Sequence, residues 1–371
     1  MTESAIAFLN TQEGDAFLRD HWQQSPAFFE RRMTPLPALP DWRLLMASEG
    51  VESRRIVTLA PDQFSLTDGP LAGQDPPSPW TILIQDAEHH APDLRCLIEA
   101  VDFLPRWRVE DVMMSVATAG GSVGPHVDAY DVFLVQAQGS RQWDIGRAGD
   151  YERVDDDSGL RLVKPFLAAR TLIAKPGDVL YLPPDVPHHG VALDDCVTYS
   201  IGFRAPTLRD LAAVALDQHS DTSRYRDAGA DRNTEPLDID RATLNRLREQ
   251  LEAYLTLSDR ALATALGELM TEPKPWLLDD ESPPAARPSA ATRTLVLSPG
   301  ARLARFDDAD SGVFFANGQA YVVPNRAAAA MLATLGHARE LNWPDDPTCQ
   351  PLIEALLNDD IVRWRDDHGT P

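Results

Sequence analysis

Basic residues are scarce in this chain. Its 371 residues include 34 Lys and Arg against 57 Asp and Glu, which gives a formal net charge of −23 at pH 7. A surface this acidic repels phosphate, so the composition argues against unassisted binding to nucleic acid or to an anionic membrane. It attracts a basic partner instead, although solubility or salt adaptation accounts for the same excess of acid.

Cysteines and long apolar runs are scarce as well. The three cysteines lie far apart in the sequence and form no CxxC pair, which argues against a zinc finger or a disulfide framework. The first residues contain no basic segment followed by an apolar one, so no secretion signal is expected. No apolar run reaches the roughly 18 residues of a membrane span, so we expect a cytoplasmic protein.

The local patterns change type along the chain. Residues 1–60 carry apolar side chains at helical spacing, whereas short β-rich runs separated by turn residues extend from about 107 to 206. Such runs predict an all-β barrel or sandwich. Helical spacing returns after 206, a proline-rich stretch follows, and the tail mixes strand and helix patterns.

One pair of motifs predicts a metal site. His126 and Asp128 are two residues apart in a predicted strand, so their side chains point to the same face. In KPGDVLYLPPDVPHHG, a turn, a strand and a bend present His188, with His189 pointing the other way. Two imidazoles and one carboxylate leave open positions on an octahedral metal, which is the facial arrangement of non-haem Fe(II) oxygenases.

These motifs resemble those of the JmjC/cupin Fe(II)- and 2-oxoglutarate-dependent oxygenases, and more narrowly those of the bacterial ribosomal oxygenases. The segments GPHVDAYDVFLVQAQGSRQW and LYLPPDVPHHGVALDDCVTYSIGFRAP carry the resemblance, which is weaker towards both ends of the chain. The resemblance implies Fe(II), with 2-oxoglutarate and O2 as cosubstrates. It also implies 3-hydroxylation of an arginine in a large-subunit ribosomal protein, with release of succinate and CO2, by a homodimer. The acidic composition argues against direct DNA binding.

The resemblance also implies an architecture. We expect a mainly β protein with α-helices, built on a double-stranded β-helix (cupin/JmjC) barrel. The expected parts are a catalytic domain over 1–206 with its barrel core at about 107–206, a helical dimerisation region over 207–272, a linker over 273–290, and a small winged-helix-like α+β domain over 291–371.

Further site residues follow from the same resemblance. Arg141 is expected to bind the far carboxylate of 2-oxoglutarate as a bidentate pair, with Ser115 and Thr198 as assisting hydroxyls. Strand alternation places other side chains on the same inward faces, and an acid beside an aromatic ring suits a guanidinium. The expected substrate contacts are Asp111, Met113, Tyr130 and Ser200.

Other interpretations use the same motifs. The same iron chemistry acts on histidine in some relatives, so another residue or another protein remains open as the substrate. A metal cupin of a different enzyme class is a second alternative, although such cupins often use three or four histidines. A binding module without catalysis is a third. Adjacent His89 and His90 precede the barrel and are expected at the surface.

Overall fold

The computed structural model describes residues 8–60, 63–71, 73, 75–76, 79–154, 160–217, 223–228, 239–277, 294–307, 312–344 and 346–365. The chain divides into two compact units. The first comprises residues 1–205 and 275–278, and the second comprises 206–274 and 279–371. Within the described residues, no helix is both long enough and apolar enough to span a bilayer.

The first unit contains eleven described strands and four described α-helices. The strands are β1 (Ala27–Phe29), β2 (Ser53–Ala60), β3 (Gln63–Asp68), β4 (Trp80–Ile84), β5 (Val109–Ala117), β6 (Val132–Gln138), β7 (Arg141–Ile145), β8 (Arg170–Ala174), β9 (Val179–Leu182), β10 (His188–Ala192) and β11 (Cys196–Phe203). The helices are α1 (Thr11–Asp20), α2 (Trp42–Ala47), α3 (Ala87–His90) and α4 (Arg95–Glu99), with 3-10 turns at Pro92–Leu94, Arg106–Arg108 and Pro275–Leu277.

Two antiparallel sheets form the barrel. The larger sheet has the strand order β1-β9-β6-β11-β5-β4-β2-β3, and the smaller has the order β10-β7-β8. One apolar cluster joins their inner faces, with Leu134 and Leu180 from the larger sheet packed with Trp143 and Ile145 from the smaller. The predicted β-barrel fold is therefore confirmed.

The outer face of the larger sheet carries the main hydrophobic core. Phe133 and Tyr181, which alternate with the inward residues of β6 and β9, pack there with Leu94 and Leu97 from the helical segment after β4. Because both faces of β6 are covered, its sequence VFLV is continuously apolar rather than alternating. The strand register therefore decides which side chains reach the site inside the barrel.

A buried aspartate ties the amino-terminal segment to the barrel. Asp131, immediately before β6, accepts hydrogen bonds from the Tyr181 hydroxyl at 2.6 Å and from Gln23 Nε2 at 2.9 Å. Arg108 Nη2 lies 3.3 Å from the same carboxylate. This paired charge is fully buried, and removing one side of such a network leaves the others unpaired. Asp131 thereby holds the loop that contains the predicted metal ligand Asp128.

The amino-terminal third departs from the expected helix content. Residues 1–60 were expected to be mostly helical, but β2 occupies 53–60 and pairs with both β3 and β4. Its centre is Ile56, Val57 and Thr58, which are β-branched residues that favour strands. Sheet pairing therefore decides the conformation of a segment whose apolar spacing alone was ambiguous.

The second unit joins helices to a small α+β region. Its elements are α5 (Leu208–Asp217), α6 (Arg241–Tyr254), α7 (Asp259–Thr271), β12 (Thr294–Leu297), β13 (Leu303–Phe306), β14 (Val313–Ala316), β15 (Gln319–Val322), α8 (Arg326–Ala338), β16 (Glu340–Asn342), α9 (Gln350–Asn358) and β17 (Val362–Trp364). Two three-stranded sheets form, in the orders β16-β12-β17 and β13-β14-β15.

The boundaries of this region differ from those expected. Helix α7 packs on β13, β14 and β15, and a Cβ on its Gly267 would lie only 2.3 Å from the Phe315 ring. The helical region and the carboxyl-terminal region are therefore parts of one unit. Of the expected linker, 275–277 form a 3-10 turn in the first unit, while 278–290 lie outside the described residues.

Candidate active site

The three predicted metal ligands lie together in the first unit. One donor atom from each of His126, Asp128 and His188 falls within 4.8 Å of the others. His188 Nε2 is 3.6 Å from Asp128 Oδ2, and the two imidazole centroids are 4.2 Å apart. Two imidazoles and a carboxylate at this spacing suit a divalent metal that keeps open coordination positions.

Backbone pairing places the two histidines opposite each other. His126 N donates to His188 O at 3.0 Å, and His188 N donates to His126 O at 2.9 Å. The two residues form an isolated antiparallel bridge, and directly opposite residues of such a pair project to the same face. The bridge therefore joins two ligands that are separated in sequence by strands β6 to β9.

The first two ligands are not in a regular strand, contrary to the expectation. His126 lies in the isolated bridge, and the backbone at 127 and 128 is irregular. Asp185 N donates to Asp128 O at 2.9 Å, which fixes this loop. Gly124 has a φ of +87°, and a Cβ there would lie 2.7 Å from the Phe64 ring, so the approach to His126 requires glycine.

Hydrogen bonds to backbone carbonyls orient both imidazoles. Nδ1 of His126 is 2.9 Å from Gly124 O, and Nδ1 of His188 is 3.0 Å from Val186 O. Because a carbonyl only accepts, each Nδ1 carries the proton and each Nε2 presents a lone pair. Burial, together with the nearby His126, lowers the pKa of His188 to about 4, so this imidazole is neutral at neutral pH.

The adjacent His189 is held on the other side of β10. Its Nε2 is 3.1 Å from Ser122 Oγ, and Ser122 Oγ accepts a hydrogen bond from Gly124 N at 2.9 Å. Strand alternation therefore separates His189 from the triad, and it provides a matched control for His188.

A buried arginine that forms no ion pair with any described residue lies on the inward face of β7. Arg141 is 4% exposed, and its Nη2 donates to Ser115 Oγ at 3.3 Å. Its Nε has no partner among the described residues, and neither has the indole Nε1 of Trp143, two residues further along β7. Leaving buried donors without acceptors costs free energy. This face of the barrel is therefore suited to an anionic ligand.

A tight turn delivers Arg141 to this position. Gly139, between β6 and β7, has a φ of +62°, and a Cβ there would lie 2.4 Å from Asp194 Oδ1. Ser140 donates to the same carboxylate through its N at 2.7 Å and its Oγ at 2.8 Å. The turn is exposed, but alternation along β7 directs the next side chain, Arg141, into the interior.

Sequence reasoning missed Gln136, a fully buried residue on β6. Its Nε2 donates to Gln138 O at 2.9 Å, which fixes the amide so that Oε1 faces Thr198. The Thr198 hydroxyl therefore donates its single proton to Gln136, at 3.0 Å. Thr198 lies opposite Ser115 on β5, and of these two hydroxyls Ser115 forms the hydrogen bond with Arg141.

The four predicted substrate residues lie near one end of β5 and β11. Met113 is opposite Ser200 in the strand register. A Cβ on Gly202 would lie 3.5 Å from Asp111 Oδ1 and 3.9 Å from Tyr130 Cε2, so these two side chains flank the same glycine. The charge of Asp128, burial and Asp111 raise the pKa of Tyr130, which keeps its phenol protonated.

A second group of ionisable side chains adjoins Asp111 and was not predicted from the sequence. Glu88 is 4% exposed, and its Oε2 accepts from Val112 N at 2.9 Å. His89 Nε2 lies 3.4 Å from Glu88 Oε1, and the His89 side chain is only 15% exposed. The expectation that His89 and its neighbour are surface residues is therefore wrong for His89, because α3 turns back against β5.

A double-stranded β-helix with a His-Asp-His site defines the class of JmjC-type metal-dependent oxygenases. The chain matches the JmjC domain family over residues 96–211 and the AraC-like ligand binding domain family over residues 166–270. Both matches include the strand that carries His188 and the following strand β11.

Within that class, the chain belongs to the ribosomal oxygenase family. It is 30% identical over 362 residues to the ribosomal protein uL16 3-hydroxylase of Escherichia coli, covering 92% of this chain and 95% of the relative. It is 35% identical over 212 residues, which are 53% of this chain and 51% of the relative, to a Haemophilus influenzae protein named "Probable ribosomal oxygenase".

Solved structures agree over nearly the full length. The X-ray structure of E. coli ycfD matches with a TM-score of 0.80 at 28% identity, covering 96% of this chain and 98% of that one. The complex of ycfD with cobalt and 2-oxoglutarate matches with a TM-score of 0.79 at 27% identity, covering 96% and 99% of the two chains. The resemblance to ribosomal oxygenases inferred from the sequence is confirmed.

The geometry predicts opposite behaviour for the two adjacent histidines. His188→Ala should weaken Co(II) binding by more than roughly a hundredfold, because it removes a ligand that is already neutral and oriented. His189→Ala should change the affinity by less than about twofold, since its ring bonds to Ser122 instead. Calorimetric titration of the purified proteins measures both. Equal losses in the two variants would contradict the assigned ligand set.

Proposed function

We propose that this protein is an Fe(II)- and 2-oxoglutarate-dependent oxygenase that 3-hydroxylates an arginine of ribosomal protein uL16. The observation that carries the proposal is the His126–Asp128–His188 donor set in the same barrel as the buried guanidinium of Arg141, whose Nε has no partner among the described residues. The 3-hydroxylase of uL16 is a relative over 92% of this chain. The related ycfD binds cobalt together with 2-oxoglutarate or succinic acid.

The residues present fit the metal and its cosubstrate. His126, Asp128 and His188 would hold Fe(II) through two Nε2 atoms and one carboxylate oxygen, with positions left open for ligands. Bound iron supplies the oxidative chemistry that couples decarboxylation of 2-oxoglutarate to succinate and CO2 with hydroxylation of a C–H bond. The carbonyls of Gly124 and Val186 hold the imidazoles in the ligating tautomer. The apolar inner faces of the two sheets exclude water.

Arg141 and Ser115 would bind the far carboxylate of 2-oxoglutarate. A guanidinium and a carboxylate make a bidentate pair, and the partnerless Nε of Arg141 gains an acceptor when the ligand binds. Ser115 accepts from Arg141 through its oxygen, which leaves its own proton for the ligand. The Thr198 hydroxyl already donates its hydrogen bond to Gln136, so it offers the ligand packing and a lone pair rather than a donor.

The substrate arginine would enter between Asp111 and Tyr130. A carboxylate pairs with the guanidinium charge, while an aromatic ring and the Met113 thioether contact its flat faces. Tyr130 is 40% exposed, as a residue at the entrance should be, whereas Asp111 is 6% exposed. Ser200, opposite Met113, would complete this end of the pocket.

The proposed partner is a second copy of the chain, and the proposed compartment is the cytoplasm. Helix α6 contributes no buried residue, and Leu244 and Leu251 on it, with Leu255 at its C-cap, are between 42% and 52% exposed. These positions recur at helical spacing and form one apolar face. Burying that face against the same face of a second copy would remove it from water.

The proposed compartment, the cytoplasm, agrees with a ribosomal substrate and with the absence of a candidate membrane span in the described residues.

Mass spectrometry of uL16 tests the proposed reaction. The purified protein with Fe(II), 2-oxoglutarate and O2 should add one oxygen atom to a single arginine of uL16 and form succinate in equal amount. His126→Ala should abolish both products, because it removes a proposed iron ligand. Oxygen on a histidine, or on a different ribosomal protein, would overturn the substrate, and succinate equally abundant with His126→Ala would overturn the chemistry.

Kinetics with 2-oxoglutarate test the cosubstrate pocket. Arg141→Gln should raise the KM for 2-oxoglutarate by roughly a hundredfold, and Ser115→Ala by roughly fivefold. Thr198→Val should change this KM by less than about twofold, because the Thr198 hydroxyl donates its hydrogen bond to Gln136. Arg147→Gln, at an exposed arginine of the same segment, is the matched control. A larger effect from Thr198→Val than from Ser115→Ala would reverse the assignment.

Light scattering tests the dimer. The native protein should have twice the 40.9 kDa mass of one chain. Leu251→Glu should shift it to the single-chain mass, because a charge in a buried apolar face is unfavourable. Leu59→Glu, at an exposed leucine of β2, should leave the mass unchanged. A native protein with the mass of one chain would refute the dimer.

A further inference from the structure

Glu88 is a buried carboxyl group directly behind the proposed substrate-binding Asp111. Pairing between β4 and β5 ends at Ile84 and Met114, after which the chain turns into α3. Glu88 Oε2 then takes the place of a strand carbonyl and accepts from Val112 N at 2.9 Å. Val112 N is bonded to the carbonyl carbon of Asp111, so Glu88 Oε2 lies within about 5 Å of the Asp111 Cα.

Few groups compensate this carboxyl group. Within the part of the chain that the structure describes, Glu88 pairs with His89 at 3.4 Å and with no lysine or arginine. Its other charged neighbours are acidic, namely Asp111 on β5 and Asp86 before α3, and Asp86 Oδ2 accepts from Trp276 Nε1 at 2.9 Å.

The remaining ionisable groups around Glu88 are directed elsewhere or exposed. Glu110 on β5 pairs with Arg204, and Asp93 in the 3-10 turn after α3 is exposed. His90 on α3 is half-buried, which lowers its pKa below the usual value. Among the described residues, the charged or ionisable neighbours of Glu88 are therefore Asp111, Asp86 and His89.

We propose that Glu88 determines specificity for a cationic substrate side chain. When the cation binds, the Glu88 carboxyl group loses its proton and provides a second negative charge behind Asp111. The proposal rests on the proposed function, because it takes Asp111 to be the group that meets the substrate guanidinium. Glu88 does not touch the substrate. It acts through the β5 backbone and through its charge on Asp111.

The electrostatics fix the direction of the effect. Burial, with Asp111 as the next cause, raises the pKa of Glu88 to about 8, so the free protein holds a proton there at pH 7. His89 Nε2 lies 3.4 Å from Glu88 Oε1, next to the carboxyl group that carries this proton. A guanidinium at Asp111 favours the ionised carboxylate and lowers its pKa. Binding therefore releases a proton, and the affinity rises with pH until about pH 8, where the free protein has already lost it.

A pair of peptides separates this charge effect from packing. The probe is a uL16 peptide that contains the target arginine in its unmodified form. It is compared with the same peptide carrying citrulline, the neutral isostere, at that position. Their Kd values are measured by fluorescence anisotropy, without O2, on the protein loaded with Fe(II) and 2-oxoglutarate. Between pH 6.5 and pH 8.5, a range that brackets the pKa of Glu88 in the free protein, we expect the arginine peptide to bind about tenfold more tightly at the higher pH and the citrulline peptide to bind equally at both.

Glu88→Gln tests the residue itself. The amide oxygen keeps the hydrogen bond from Val112 N, while the charge is removed. We expect this variant to lose the pH dependence and to bind the arginine peptide about tenfold more weakly at pH 8.5, with the citrulline peptide unaffected. Glu99→Gln, at an exposed carboxylate on neighbouring α4, should behave like the native protein. His89→Asn identifies any part of the profile that comes from the histidine.

The outcomes are distinct. An unchanged pH profile in Glu88→Gln would overturn the proposal, and so would equal weakening for both peptides, which indicates a structural role alone. If the native protein binds no arginine peptide, the proposed function is itself contradicted, and the proposed role of Glu88 loses its basis.

Infrared difference spectra of the native protein test proton release without a variant. The band of a protonated carboxylic acid should disappear on binding the arginine peptide and persist with citrulline, and its persistence with both would refute proton release.

Discussion

The backbone bridge between His126 and His188 is the interaction on which the site depends. Two hydrogen bonds of 3.0 and 2.9 Å fix the histidines opposite each other, and carbonyls at their Nδ1 atoms set the tautomers. Asp128 is held by a third backbone contact, from Asp185. Main-chain atoms thus define the position of every proposed ligand, so the donor set is organised before a metal binds and little ordering is needed at that step.

Strand alternation connects the proposed metal site to the proposed cosubstrate pocket. On β7, Arg141, Trp143 and Ile145 point inward, and each of the first two has one buried donor without a partner among the described residues. The opposing face of the larger sheet contributes apolar side chains and the hydroxyl of Ser115. A cation enclosed by apolar side chains is unfavourable without an anion, so the barrel interior favours a negatively charged ligand.

The parts of the site that the sequence predicted are those governed by local geometry. The spacing of His126, Asp128 and His188 was sufficient to predict that they lie together, even though the first two occupy an irregular loop rather than a strand. The amide of Gln136 and the carboxyl of Glu88 could not be found in this way. Their roles depend on which strand lies alongside, and that is a long-range property of sheet order. The β2 strand was missed for the same reason.

Crystallography of the protein with cobalt and 2-oxoglutarate, using anomalous scattering to locate the metal, tests the central claim most directly. One metal should lie between His126 Nε2, His188 Nε2 and a carboxylate oxygen of Asp128, with the far carboxylate of the ligand on Arg141. A metal bound instead at Asp86, Glu88 and His89, whose donor atoms also lie within 4.8 Å of one another, would contradict the account. A ligand carboxylate directed away from Arg141 would contradict it as well.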